Sequence, residues 1–292
     1  MAGPKICDGD TLPWYHGENR KYECFGDDLV LKVDDRGLYK IIETRNPALD
    51  RFVGRRISVD SRRVTSTLTA LVRYVDDLLT KHDVPHWINS GTLLGTWRQG
   101  SVVPWDNDAD MLIRERDAER VLGLKEEIEA SGFLFTSNKL FGPTYKMYVK
   151  LAETPKIMVE LCSMHPHDVQ VPGVGADTLW TYHPKMVEAV KKRIERIYAE
   201  DPTNEIAGHR HDQRLKSEIL VDNQYLSSEI FPLQRIAFGA GTVSAPACPE
   251  IILKRDYGEY GLTHGLISCA CQWTDGDYLL KVEISPSSGG ES

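Results

Sequence analysis

The chain contains no run of eighteen uninterrupted apolar residues, so no spanning helix is encoded. Its start, Met1-Ala2-Gly3-Pro4-Lys5, lacks the apolar core of a signal peptide. Read alone, this predicts a cytoplasmic protein. There is no basic excess: 35 Lys and Arg against 43 Asp and Glu give a net charge of −8. Such a surface does not coat a nucleic-acid polymer, so a nucleotide ligand is expected to be a small molecule. The six cysteines form no pair of CxxC motifs, which leaves a structural zinc without a framework. Cys7 and Cys24 can pair across a loop, Cys269 and Cys271 are close neighbours, and Cys162 and Cys248 have no obvious mates. Reduced, mostly buried thiols are expected. Asn-x-Ser/Thr acceptors are also absent, which mildly favours the cytosol. The remainder is ordinary for a globular protein, with 292 residues, 41% hydrophobic and 27% charged. That length suits one large domain, or one domain with an appendage, around a substantial core.

Residues 1–55 are rich in Gly, Asp, Pro and isolated aromatics, with one strand-like stretch at Leu29–Val33; they read as an extension packed on the core. Residues 56–284 read as the main domain, and 285–292 as a disordered, low-complexity tail. Val64, Leu68, Leu71, Val75, Leu78 and Leu79 follow helical spacing and predict a helix over 59–83, capped by Asp60 or Ser61. A short strand at Trp87-Ile88, a brief helix after Ser90, and a strand from Asp108 to Ile113 follow. Glu115–Ala130 predicts a single helix, and 133–136, 145–151 and 156–162 predict strands, the last two forming a hairpin. Further helices are expected over 184–200 and around 249–256, with a polar loop at 201–217. Strands between helices predict a mixed α/β sheet covered by helices.

The most informative stretch runs from Trp87 to Ile113. If Asp108–Ile113 is a strand, Asp108 and Asp110 share one face while Ala109, Met111 and Ile113 share the other. Paired carboxylates raise each other's pKa unless a cation lies between them, and oxygen ligands suit Mg²⁺ or Mn²⁺. The Ser90-Gly91-Thr92 turn ahead of a helix offers free N–H groups to an anion. A metal beside a phosphate cradle predicts phosphoryl-transfer chemistry. Arg98 lies seven residues after Gly91, about two turns on, where its planar fork suits a phosphate. Glu160 is the one charge in the apolar run Ile157–Cys162, and burying it there is unfavourable without a partner. Lys146, Tyr148 and Lys150 alternate onto one face of the neighbouring strand, where either lysine can neutralise a transferred phosphate. Trp97 and Trp105 suit either core packing or stacking on a base, with core packing the commoner fate. His165 and His167 read as polar loop residues, and His209 and His211 as part of a solvated loop.

Gly91-Thr92-Leu93-Leu94-Gly95, Arg98, Gly100, Pro104-Trp105-Asp106, Asp108 and Asp110 together resemble the signature of the LicD family, which includes phosphocholine transferases and fukutin-like proteins. The tail is similar too, through Phe231-Pro232-Leu233, Phe238, Pro246, Ile252-Leu253 and Tyr257-Gly258. The likeness spans about residues 60 to 260, and nothing in the first 55 residues matches it. It implies a nucleotidyltransferase-like fold, in which a Gly-Ser or Gly-Gly turn precedes a carboxylate pair and a third carboxylate follows on a later strand. It adds Asp106 as a candidate ligand beside Asp108 and Asp110, and it makes Glu160 the later carboxylate, as ligand or proton acceptor. The implied activity is transfer of a phosphorylated small group, phosphocholine- or ribitol-phosphate-like, from a CDP-linked donor to a glycan hydroxyl. Nucleotidyl transfer from a triphosphate and a non-catalytic glycan-binding role are the alternatives. Animal relatives in the Golgi lumen make that compartment the alternative if an anchor has been trimmed away.

Overall fold

The computed structural model describes residues 29–33, 39–44, 47–60, 63–104, 106–139, 144–171, 175–182, 224–266, 273–275 and 278–284, with short pieces at 15–16, 22–23, 187–188, 191–192 and 195–196. The readings made for Trp105, Cys7, Cys24, Cys269, Cys271, His209, His211, the 201–217 loop and the 285–292 tail lie outside these residues, as does most of the 184–200 helix.

The chain opens with strands β1 (Leu29–Val33), β2 (Tyr39–Thr44) and β3 (Arg56–Asp60). Helix α1 (Val64–Lys81) follows, then β4 (His86–Ile88), α2 (Ser90–Gln99) and β5 (Asp108–Arg114). Short helices α3 (Ala118–Leu122) and α4 (Lys125–Ala130) lead to β6 (Phe133–Lys139), β7 (Tyr145–Leu151), β8 (Met158–Val171) and β9 (Gly175–Thr181). After β10 (Gln224–Leu226) and α5 (Ser227–Ile230) come the hairpin β11 (Gln234–Phe238) and β12 (Gly241–Ala245), then α6 (Pro249–Thr263). Strands β13 (His264–Leu266), β14 (Trp273–Asp275) and β15 (Tyr278–Ile284) close the chain.

The mixed α/β sheet expected from the sequence is a seven-stranded one. Its centre is the long strand β8. Met158–Met164 of β8 run parallel to β5, and Met158–Cys162 run antiparallel to β7 on the other side. His165–Val171 pair instead with β9, so a single strand serves two sets of neighbours. One face is closed: Ala109, Met111, Ile113, Val159, Leu161, Met147 and Val149 are buried, and α1 packs against β8 and β5. These are the odd-numbered residues of their strands, as the period of two requires.

Helix α1 buries Val64, Leu68, Leu71, Val72, Val75, Leu78 and Leu79, the stripe expected from spacing. It begins later than expected, at Arg63 in the left-handed region (φ 73°) and without a side-chain cap. Residues 56–60 are a strand instead of a first helical turn. Ile57 and Val59 fit a pleated surface, and the partner that fixes them there, β15, comes from the far end of the chain. Strands β2 and β3 lie on either side of residue 55 and pair with each other, Tyr39 with Ile57 and Lys40 with Arg56, within a six-stranded antiparallel sheet. The single helix expected over 115–130 is a 3-10 turn followed by α3 and α4, broken at Gly123-Leu124. Glycine's backbone freedom disfavours helix there.

Asp76, buried on α1, fastens three elements. Its carboxylate accepts from His86 Nε2 at 2.9 Å, from Arg235 at 2.9 and 2.6 Å, and from the Ser244 N–H at 2.9 Å. These bonds hold its carboxyl below the usual carboxylate range despite the opposing effect of burial. No described helix is long and apolar enough to cross a membrane.

Candidate functional site at the acidic strand

The other face of the sheet carries the chemistry. In register, Asp110 lies beside Glu160 on β8, and Glu160 lies beside Tyr148 on β7. Asp108, Met158 and Lys150 form the next row, and Leu112, Cys162 and Lys146 the one after. The alternation expected for the acidic strand therefore holds, and it brings Asp108, Asp110 and Glu160 to one face.

Helix α2 meets this face end-on. It packs against β5, and its first residues lie beside Asp106. A Cβ on Gly91 would stand 2.9 Å from Asp106 Oδ2, so a side chain there would oblige that carboxylate to shift away from the first turn of the helix. Further along, a Cβ on Gly95 would meet backbone atoms of Ser101 and Val103 at 2.6 Å, so Gly95 admits the loop that carries the chain back to β5. Both glycines belong to the same short motif, and each permits one close approach.

Asp106 is the most perturbed acid of the site. Burial, then the charges of Asp108 and Asp110, push its carboxyl up to about 8, with Arg98 acting in the opposite direction. Arg98, seven residues along α2 from Gly91, thus faces the acids as its spacing predicted. Burial also raises the Asp108 carboxyl, offset by a bond to its own backbone and by the charge of Lys146.

Several expected residues have more specific partners than the sequence suggested. Glu160 is paired with Lys146 at 2.5 Å, both partly buried, so the expected third ligand and the expected phosphate cation face each other. Lys150 lies over the Tyr148 ring, 4.9 Å from its centroid. The Thr92 hydroxyl, expected at the phosphate turn, is buried; its oxygen accepts the Asp110 N–H at 2.8 Å. It ties α2 to β5, because the third residue of this helix points inward. Of Thr92 itself, the N–H alone is left facing the free end of the helix. His165, expected in a loop, is on β8 and buried against the Thr144 hydroxyl at 2.8 Å. His167 also lies on β8. Trp97 is 44% exposed, not part of the core. Cys162 and Cys248 are free thiols, and burial with the Glu160 charge pushes Cys162 up to about 12.

Three residues of the site escaped sequence reasoning. Tyr225 OH donates to Asp256 Oδ2 at 3.2 Å, so it accepts from Asn89 Nδ2 at 3.1 Å. The same Asn89 amide donates to Ser90 Oγ at 3.0 Å. Ser90 itself is left-handed (φ 46°), a conformation disfavoured for a residue with a Cβ. Because Ser90 Oγ accepts from Asn89, its own proton is directed elsewhere, and the chain Asp256–Tyr225–Asn89 sets that direction. Asn89 before Ser-Gly, at the head of a helix, was the available signal; Tyr225 and Asp256 are more than a hundred residues away in sequence.

Residues 83–197 match the family model described as LicD/FKTN/FKRP, nucleotidyltransferase domain. Over this range, somewhat under half of its length, the chain is similar to the LicD family's domain. The matched range takes in Ser90, Gly91, Thr92, Arg98, the three aspartates, Lys146, Lys150 and Glu160. The mixed seven-stranded sheet with its helices agrees with a nucleotidyltransferase-like LicD fold. Human ribitol 5-phosphate transferase FKRP is 25% identical over 186 residues, covering 62% of this chain and 32% of that protein. Its mouse counterpart is 29% identical over 126 residues, 41% of this chain and 24% of that one. An uncharacterized protein of Rickettsia typhi is 30% identical over 87 residues, 30% of this chain and 28% of its own length. The chain thus spans between about a quarter and a third of the curated relatives it matches.

The site suits a divalent cation in its chemistry: hard oxygen donors, crowded on and just before one strand, that repel one another. It is not a preformed cage. Among the described residues, no group of three or more His, Cys, Asp or Glu stands placed to hold a metal ion.

Proposed function

We propose that this protein is a metal-assisted transferase that moves a phosphorylated small group from a CDP-linked donor to a glycan hydroxyl. One observation carries the reading: three aspartates crowd together on and beside β5, with Asp106 against Gly91 in the first turn of α2 and the charge of Arg98 acting on it. Crowded acids and exposed helix N–H groups are complementary to a cation and a phosphate held together. Similarity to ribitol 5-phosphate transferase FKRP supports phosphate-group transfer; the CDP-linked donor and the glycan acceptor are what the resemblance to the LicD family implies.

In this proposal Asp108 and Asp110 hold Mg²⁺ or Mn²⁺, and Asp106 joins them once ionised. When bound, the cation supplies charge neutralisation and alignment for in-line displacement at the donor's pyrophosphate. The N–H groups of Ser90, Gly91 and Thr92, with the Ser90 hydroxyl proton, receive donor phosphate oxygens at the positive end of the helix dipole. Arg98 and Lys150 offset the charge of the transferred group and the leaving nucleotide. The acceptor hydroxyl forms the new P–O bond, the bond to the nucleoside monophosphate breaks, and the hydroxyl proton passes to a site carboxylate. Glu160 serves as an additional metal ligand or as that proton acceptor. In either role it must exchange its ion pair with Lys146, which frees the lysine for phosphate.

The test is thermal melting of the full chain with CDP, UDP or GDP, each with and without Mn²⁺. A ligand at one hundred times its dissociation constant stabilises by about 2.7 kcal/mol. CDP with Mn²⁺ should raise the melting temperature by several degrees in wild type and not in Asp110→Asn. An equal shift in both proteins, or none with any nucleotide, overturns the assignment. Mass spectrometry of the product then separates group transfer, which releases CMP, from nucleotidyl transfer, which deposits it.

A further inference from the structure

A second cavity lies beyond the far end of the acidic strand. Its volume is about 510 Å³, within the size range of small-molecule sites. Arg114, at the end of β5, is four residues past Asp110, about 13 Å along a strand rising roughly 3.3 Å per residue. Two of its lining rings, Trp180 and Phe231, pack edge to face or tilted on the buried Trp87 of β4, with the three centroids 5.7 to 6.4 Å apart.

The lining combines three kinds of surface. Trp180 and Phe231, with Pro166, form an apolar wall. Among the described lining residues, Arg114, Glu115, Arg116 and Asp168 supply two cations and two carboxylates, a balance of zero formal charge. Thr178 and Ser227 add hydroxyls. Strand register organises part of this set, since Pro166 pairs with Trp180 and Asp168 with Thr178. Within the wall, the indole N–H of Trp180 is buried and makes no hydrogen bond, although the residue is only 7% exposed. A buried donor without a partner is unfavourable, and a ligand oxygen would relieve it.

We propose that this cavity binds an uncharged sugar ring. A sugar presents an apolar C–H face to an aromatic wall and hydroxyls that both donate and accept at its edge. Alternating guanidinium and carboxylate groups answer both roles. The zero charge balance disfavours a phosphate or nucleotide here, in contrast to the acidic strand, where a cation is needed first. This site stands on its own observations and does not depend on the transfer reaction.

The experiment is saturation-transfer NMR on the full chain with methyl glycosides of neutral hexoses and pentoses, using hexose phosphates as charged comparison. Wild type should take up saturation transfer to at least one neutral glycoside and less to its phosphate. Trp180→Phe keeps an aromatic ring but removes the N–H, and should weaken binding about tenfold. Asp168→Ala with Arg116→Ala, both exposed positions, should weaken it at least as much with an unchanged melting temperature. Asp110→Asn should bind as wild type does. No transfer from any neutral glycoside overturns the proposal, as does unchanged binding in both cavity variants. Tighter binding of the phosphate, or loss of binding in Asp110→Asn, also overturns it.

Discussion

Asp76 and Asp106 are both carboxylates withdrawn from water, and burial is the largest single influence on each. They nevertheless move in opposite directions. Around Asp76 stand a histidine, an arginine fork and a backbone N–H, all able to donate, and its carboxyl falls below the ordinary range. Around Asp106 stand Asp108 and Asp110, with Arg98 as the opposing cation, and its carboxyl rises to about 8. Desolvation favours the neutral form in both places; the neighbours decide whether that preference stands. The Asp76 region has its counter-charges built into the fold and acts as a fastener. Among the described residues, the Asp106 region sets one arginine against three carboxylates, so its crowding is left largely unanswered.

The sharpest break of this contrast is at the acids themselves. Asp110→Asn should lower transfer activity by about 10³-fold or more, since metal-borne charge stabilisation amounts to several kcal/mol. Its melting temperature without metal should stay at or above that of wild type, as measured by calorimetry. At the fastener the outcome should be reversed. Asp76→Ala leaves His86 and the Arg235 fork without their carboxylate and should destabilise the fold by about 3–5 kcal/mol in denaturant titration. Gly91→Val tests the approach of Asp106 to α2. Its side chain would displace the carboxylate and block the helix head, lowering kcat/KM for the donor by about 10²-fold while the fold persists.

The smallest effect is a pH dependence with opposite signs at the two sites. Asp76 has a lowered folded pKa, so its contribution is present above the unfolded value near 3.8 and is lost as pH falls through the folded value. Asp106 has a raised folded pKa, so the metal-free protein progressively loses stability as pH rises from about 4 to about 8. Asp106→Asn should remove that loss, raising the melting temperature at pH 8 by a few degrees and hardly at all at pH 4. An equal rise at both values would mean that the crowding of the acids has no energetic consequence.

Much of the site was legible because it is local. Asp108 and Asp110 share a face by the period of a strand, and Gly91 and Arg98 share one by the period of a helix. Glu160 could be singled out as a lone charge in an apolar run, but its register beside Asp110 and its pairing with Lys146 depend on how β7, β8 and β5 align. Thr92 was misread in detail, since a hydroxyl at a turn looks the same in sequence whether it faces a ligand or a neighbouring strand. Nothing local singles out Asp76, because its partners Arg235 and Ser244 lie some 160 residues further on.

By itself, the sequence determined the helical and strand periods, the acidic face, the small-residue turn ahead of α2, and hence the kind of chemistry to expect. Those features depend on neighbours within a few residues, where backbone geometry dictates which side chains coincide. Tertiary structure decided which acid bears the burden of crowding, which lysine answers Glu160, how Ser90 is oriented from Tyr225 and Asp256, and that a neutral cavity lies beyond the aromatic wall. Each of these depends on contacts between distant segments, and such contacts set the dielectric surroundings and charge partners that fix what a side chain can do.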